Sequence, residues 1–199
     1  MYLELVKHYL TKTMFIFVII LAGIWVFSLG MLEGSLLKTI PMSSYFTCFM
    51  YFSITAGTHK MFSSLPVSRN KLILADYTAY TILLLFNYLI IFGTFYLLKL
   101  MLHNDNLTDM KISPLSLMTI TFSLSLLAKC MFDLITSQTA KVILTFVISF
   151  LGLFAVVLGA ALFTKFTGYS PEYILYPLAI IITSITFFVT KWKFPRLDF

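Results

Sequence analysis

The chain has 199 residues, of which 60% are hydrophobic and 11% charged, with a net charge of +6. Soluble domains average about 45–50% apolar and about 25% charged, so this composition excludes an ordinary soluble fold. It leaves an integral membrane protein with no room for a separate soluble catalytic domain, in which a positive balance reports topology and contact with anionic lipid headgroups, not nucleic acid.

Residues 1–12, MYLELVKHYLTK, set Tyr2, Leu3, Leu5, Val6, Tyr9 and Leu10 against Glu4, Lys7, His8 and Lys12 at helical spacing. The pattern predicts an amphipathic interfacial helix along the inner membrane surface. A plain charged flank that fixes orientation is the alternative.

A helix needs about 20 apolar residues to cross a bilayer. Six runs meet or approach that length, at 14–31, 40–57, 72–98, 114–131, 142–163 and 173–190. The expected fold is therefore all-α, a single transmembrane domain over 1–199 with six transmembrane helices. Continuous rather than alternating hydrophobicity argues against a β-barrel. Ser28-Leu29-Gly30 at the end of the first run is a weak small-x-small signal, but five further runs make a retained anchor the natural reading. The third run exceeds what a crossing needs, so its first turns lie in the headgroup layer or its axis tilts.

Alternate loops divide the cations unevenly. Lys7, Lys12, Lys60, Arg69, Lys71, Lys129, Lys141, Lys191, Lys193 and Arg196 fall on one side, and Lys38, Lys99, Lys111 and Lys165 on the other. The positive-inside rule places the first side, and with it both termini, in the cytoplasm of a cell-membrane protein.

Polar residues inside the runs form stripes. Ser44, Cys48, Tyr51 and Thr55 share a face of the second run, and Asp76, Tyr80 and Asn87 a face of the third. Ser116, Thr119, Ser123 and Cys130 do so loosely in the fourth. Tyr51, Thr55, Asp76, Tyr80 and Asn87 line a translocation path or serve helix packing, and the spacing fits both. Asn87 falls near mid-membrane and must find a partner. Asp76 and Lys129 lie near the inner boundary, where Lys129 can snorkel and pair with Asp133 one turn on. In the fifth run Gly152, Ala155 and Gly159 form a small-residue stripe suited to helix packing. Cys48 and Cys130 are far apart inside apolar runs, which indicates neither a disulfide nor a metal site.

Several chemistries have no signature here. There is no G-x-x-x-x-G-K-[ST] loop, no H-E-x-x-H and no G-x-S-x-G. His8, His59 and His103 are single residues at run ends. The chain is expected to be no enzyme, to bind no cofactor of its own and to hold no metal.

The segment 58–77, THKMFSSLPVSRNKLILADY, is the most polar stretch of the first half. Met61, Phe62 and Leu65 fall on one side of a short helix. Pro66 turns the chain, and Ser68 is placed to cap the long helix that Arg69, Asn70 and Lys71 begin. A short helix with a greasy face, a turn and a new span make a cytoplasmic handle for a partner.

SSLPVSRNKLILADY resembles the cytoplasmic segment after the second span in ABC type-2 permeases, the membrane subunits of ATP-binding-cassette exporters. Members often carry a Leu-Pro-[small/apolar]-Ser-Arg core followed by a basic residue, matched here by Leu65, Pro66, Val67, Ser68, Arg69 and Lys71. The surface helix, six spans and internal termini are similar too. The resemblance implies two permeases, either two copies or this chain and a sister, above two cytoplasmic ABC ATPase subunits that hold the ATP and Mg. Residues 58–70 would then be the coupling helix, with Met61, Phe62, Leu65, Pro66, Ser68 and Arg69 in contact with the ATPase. Gly168-Tyr169-Ser170-Pro171 departs from the pattern, because many members carry re-entrant helices there. The compact size and aromatic content are similar to small permeases that export amphipathic toxin peptides, such as phenol-soluble modulins, or give immunity to bacteriocins. A hydrophobic or amphipathic substrate is the corresponding expectation. The alternative is a non-transporting membrane accessory or toxin-immunity protein.

Overall fold

Inside a bilayer no water is available to backbone amides and carbonyls, so an apolar run must satisfy them within its own helix. In a computed structural model that describes residues 2–31, 36–63, 68–102, 113–135, 140–141, 143–144 and 147–193, all regular structure among those residues is helical. The elements are α1 (Tyr2–Tyr9), α2 (Lys12–Met31), α3 (Leu36–Ser63), α4 (Arg69–Leu102), α5 (Pro114–Leu134), a π-helical turn (Val147–Gly152), α6 (Leu153–Thr167) and α7 (Glu172–Lys193).

Among the described residues, three helical stretches are long and apolar enough to cross a membrane: Asn70–Thr94, Leu115–Leu134 and Glu172–Trp192. The other three apolar runs fall on α2, α3 and the π turn with α6. At 1.5 Å per residue, the 34 residues of α4 extend about 51 Å, well beyond a hydrocarbon core of about 30 Å. One end of α4 therefore stands outside the apolar layer, or the helix is steeply tilted.

Local chemistry sets the helix ends. Ser113 caps α5, its hydroxyl accepting the Ser116 N–H at 3.2 Å, and Pro114 follows at the first helical position. The Ser68 carbonyl accepts the N–H groups of Lys71 and Leu72, so α4 starts directly after it, where the sequence places the start. Gly168 ends α6 at φ 76°, its N–H bonded to the Thr164 carbonyl at 2.9 Å. Only glycine takes that left-handed conformation without a Cβ penalty. Pro171 and Glu172 then open α7, with the carboxylate at the positive end of the helix dipole.

The helices form two groups joined by α3. α4 carries α1, α2 and α3 along its length, while α5 carries α7, the π turn and α3. α4 and α5 touch each other little directly. Phe52 of α3 is wedged between them, stacked on Phe132 of α5 with ring centroids 3.7 Å apart and on Tyr80 of α4 at 5.9 Å.

Contacts within this chain add to two sequence expectations. The apolar face of α1 does not simply rest on lipid. Leu5, Val6 and Tyr9 are buried within the protein, and the Tyr2 hydroxyl bonds Thr78 Oγ1 at 2.6 Å. A short helix gains more from fixed neighbours on α4 than from fluid lipid. The small-residue stripe of α6 is also open within this chain. A Cβ at Gly152 would meet the Leu124 side chain at 3.6 Å, but one at Gly159 would meet nothing within 4 Å, and Ala155 is exposed. Leu153 and Ala160, seven residues apart and so on one face, are the residues α6 buries. Ala155 and Gly159 lie roughly opposite them.

Replacing Gly168 by alanine should cost about 1 kcal/mol, because the added methyl meets no neighbour and the whole loss is backbone strain at positive φ. A small fall in the thermal midpoint of the detergent-solubilised protein would show it, with the helical circular dichroism unchanged.

Candidate functional site

Polar side chains converge where α3, α4 and α5 meet near the start of α4. Lys129 of α5 and Asp76 of α4 are both buried, with side-chain exposures of 1% and 2%. The Lys129 ammonium donates to Asp76 Oδ2 and, one turn along its own helix, to Asp133 at 2.7 and 3.0 Å. The Tyr51 hydroxyl of α3 donates to Asp76 Oδ1 at 2.5 Å and lies 3.0 Å from the Asp76 carbonyl oxygen. Three rings surround the ammonium, with centroids at 5.1 Å for Tyr77, 5.6 Å for Phe52 and 5.8 Å for Tyr51. An ion with carboxylates on one side and negative ring faces on the others can be held away from water.

α1 packs on α4 beside this region, with Tyr9 fully buried. Burial first, and the nearby Asp76 carboxylate next, raise the pKa of the Tyr9 hydroxyl, so it stays protonated. The exposed Lys7–Glu4 pair of α1 is an ordinary surface contact.

The polar seam continues between α3 and α4. Tyr80 donates to the Ser125 carbonyl at 3.3 Å, and Ser44 and Tyr88 share a hydrogen bond at 2.8 Å. Ser43 donates to Asn87 Oδ1 at 2.7 Å, which gives Asn87 the partner its place in an apolar run requires. Asn87 Nδ2 and Thr47 Oγ1 are buried with no hydrogen-bond partner. Thr55 turns its hydroxyl back to the Tyr51 carbonyl at 2.7 Å. A second seam joins α5 to α7, where Ser116 donates to Glu172 at 3.1 Å and Thr183 to Ser123 at 3.0 Å. Beside it an open groove of about 470 Å³ runs between α5 and α7, its apolar walls broken by Thr119, Thr183 and Ser184.

The structure thus brings Tyr51, Asp76 and Tyr80 together in one buried region and places Asn87 further along the same helix. Leu65 and Pro66 lie outside the described residues. Met61, Phe62 and Arg69 fall within α3 and α4, but their side chains lie outside the description as well. Ser68 is described only as the residue whose carbonyl starts α4. Lys129 does not snorkel outward; it turns inward to Asp76, because two carboxylates and three rings neutralise it better than an edge position. Its pairing with Asp133 is as the spacing requires. The contact with Asp76, 53 positions away, is what sequence reasoning missed. The available signal was two acidic residues and one basic residue at the same membrane boundary in otherwise apolar runs.

The helical fold and apolar spans fit the resemblance carried by LPVSR. The family model described as ABC-2 family transporter protein matches residues 3–192. The chain belongs to that family. It is a multi-pass membrane protein of the ABC-2 permease type, a family that works in association with an ABC ATPase. No curated protein and no solved structure matches it.

In the permease, Lys129→Met should be among the most damaging single changes. It leaves two buried carboxylates facing each other without a cation, and breaking a buried pair from one side costs about 3–5 kcal/mol. Lys129→Met combined with Asp76→Asn should recover a large part of that loss. Thermal midpoints of the two variants and of Asp76→Asn, arranged as a double-mutant cycle, read the coupling directly.

Proposed function

We propose that this permease is the membrane-spanning subunit of an ATP-driven exporter. Six spans hold both termini in the cytoplasm. Residues 58–70 seat in a cleft of a separate ABC ATPase, which supplies ATP, Mg and hydrolysis. A second permease, a copy or a sister, completes the membrane part. The reading is carried by one observation: a chain of the ABC-2 family has no nucleotide-binding motif, and its two long helices α3 and α4 flank a short segment bearing Leu-Pro-Val-Ser-Arg. A chain without a P-loop needs a partner for its energy, and a short cytoplasmic connection between two long helices is a mechanically direct place to receive it.

A hydrophobic or amphipathic substrate, such as a toxin or antimicrobial peptide, is the class that fits. The chain contains 21 Phe and 11 Tyr, and the groove between α5 and α7 combines apolar walls with hydroxyls at a volume typical of ligand clefts, about 300–1,000 Å³. The polar stripes within the chain are largely occupied by each other. A route for substrate therefore runs along the outside of this bundle, against the second permease, and not through its middle.

The tagged permease, extracted gently from native membranes, should bring a soluble P-loop ATPase with it. Phe62→Glu should reduce the recovered ATPase at least about tenfold, the scale on which a charge in an apolar contact weakens binding, while permease yield stays level. No ATPase under several mild detergents would overturn the reading and favour an accessory or immunity protein.

A further inference from the structure

The two ends of the Asp76–Lys129 ion pair each keep a private partner. Lys129 also holds Asp133, on its own helix, with two bonds. Asp76 also accepts the Tyr51 hydroxyl of α3. If α4 moved away from α5, the ion pair would part, yet the ammonium would still face a carboxylate and the Asp76 carboxylate would still face a donor. Separating a buried ion pair ordinarily strands two charges; here the cost is cushioned on both sides. This joint also sits where direct contact between α4 and α5 is scarce and the Phe52 wedge already keeps them apart. We infer that Asp76 and Lys129 form a releasable clasp between α4 and α5, with Asp133 and Tyr51 as the positioning residues that receive the charges when it opens.

The clasp lies seven residues, about two turns, beyond Arg69, the first residue of α4. A push delivered to the start of α4 reaches Asp76 before any other buried polar residue among those of that helix whose burial is described. Two discrete arrangements of one charge network give the bundle a closed and an open form of α4 against α5, which is the kind of bistable element that converts a small displacement into a defined movement. Its use in transport rests on the exporter reading above; the clasp itself does not.

The test is the distance between spin labels at Leu74→Cys on α4 and Leu134→Cys on α5, in the full chain with Cys48 and Cys130 replaced by alanine and held in lipid nanodiscs without any ATPase. Asp76→Asn should stay folded, because Asp133 still neutralises Lys129, and should move the main distance to a value longer by on the order of 2 Å or more. Asp133→Asn should keep the original distance, since Lys129 then depends on Asp76 alone. Asp76→Glu should restore the original distance. Asp76→Asn together with Asp133→Asn should lose the folded protein. Two results overturn the clasp: Asp76→Asn folded with its distance unchanged, or Asp76→Asn lost to aggregation as completely as the double variant. A merely structural ion pair predicts that both single variants weaken the fold alike and that neither moves the labels selectively. Because these distances are read without an ATPase, their failure removes the clasp alone, whereas failure to recover an ATPase removes the exporter reading alone.

Discussion

A lysine ammonium cannot stay charged inside an apolar bundle without opposite charge within hydrogen-bond reach. Lys129 meets that condition by drawing three helices to one point. Asp76 comes from α4, Asp133 from α5 itself, and Tyr51 with Phe52 comes from α3. The position of α4 relative to α5 depends heavily on this demand, since the two helices share little other surface. Lipid tails are as apolar as leucine, so burial of greasy side chains gives weak preference for one helix arrangement over another. Polar contacts and close packing must supply it.

The rest of the interior follows the same logic at lower energy. Hydroxyls at Ser43, Ser44, Tyr80 and Tyr88 pair across helices or reach a neighbouring carbonyl. Thr55 and Thr121 satisfy themselves on their own helix, one turn back. The seam between α5 and α7 repeats the arrangement with Ser116, Glu172, Ser123 and Thr183. The chain is thus two helical groups, each stitched internally, with α3 and the charged cluster between them. A transporter that must change shape needs rigid bodies and a joint; this division supplies the bodies, and the inferred clasp is the joint.

For an ABC-2 permease the placement of the joint matters as much as its existence. α4 directly follows the segment bearing Leu-Pro-Val-Ser-Arg, and in the exporter reading proposed above the push from the ATPase enters there. α1, packed on the same part of α4 through Leu5, Val6 and Tyr9, braces it. An element first legible as a surface float is a strut of the same region.

Hydropathy and spacing along the chain determined that the protein is all-helical and membrane-embedded, that Ser68 precedes a helix, that the chain turns near Gly168, and that Lys129 can pair with Asp133. Each of these is a local property, decided within a few residues by hydrogen bonding, capping or one turn of helix. The same local signals placed Tyr51, Asp76 and Tyr80 on polar faces without saying what those faces meet. Only the tertiary structure decided that Asp76 faces Lys129, that Tyr51 donates to it, that α1 packs on protein, and that the Ala155–Gly159 face of α6 stays open in this chain. Those outcomes depend on which helices are neighbours and at what rotation, and no periodicity within one helix encodes its neighbour. The physical selector is the cost of an uncompensated buried charge, which acts between residues far apart in sequence and close in space.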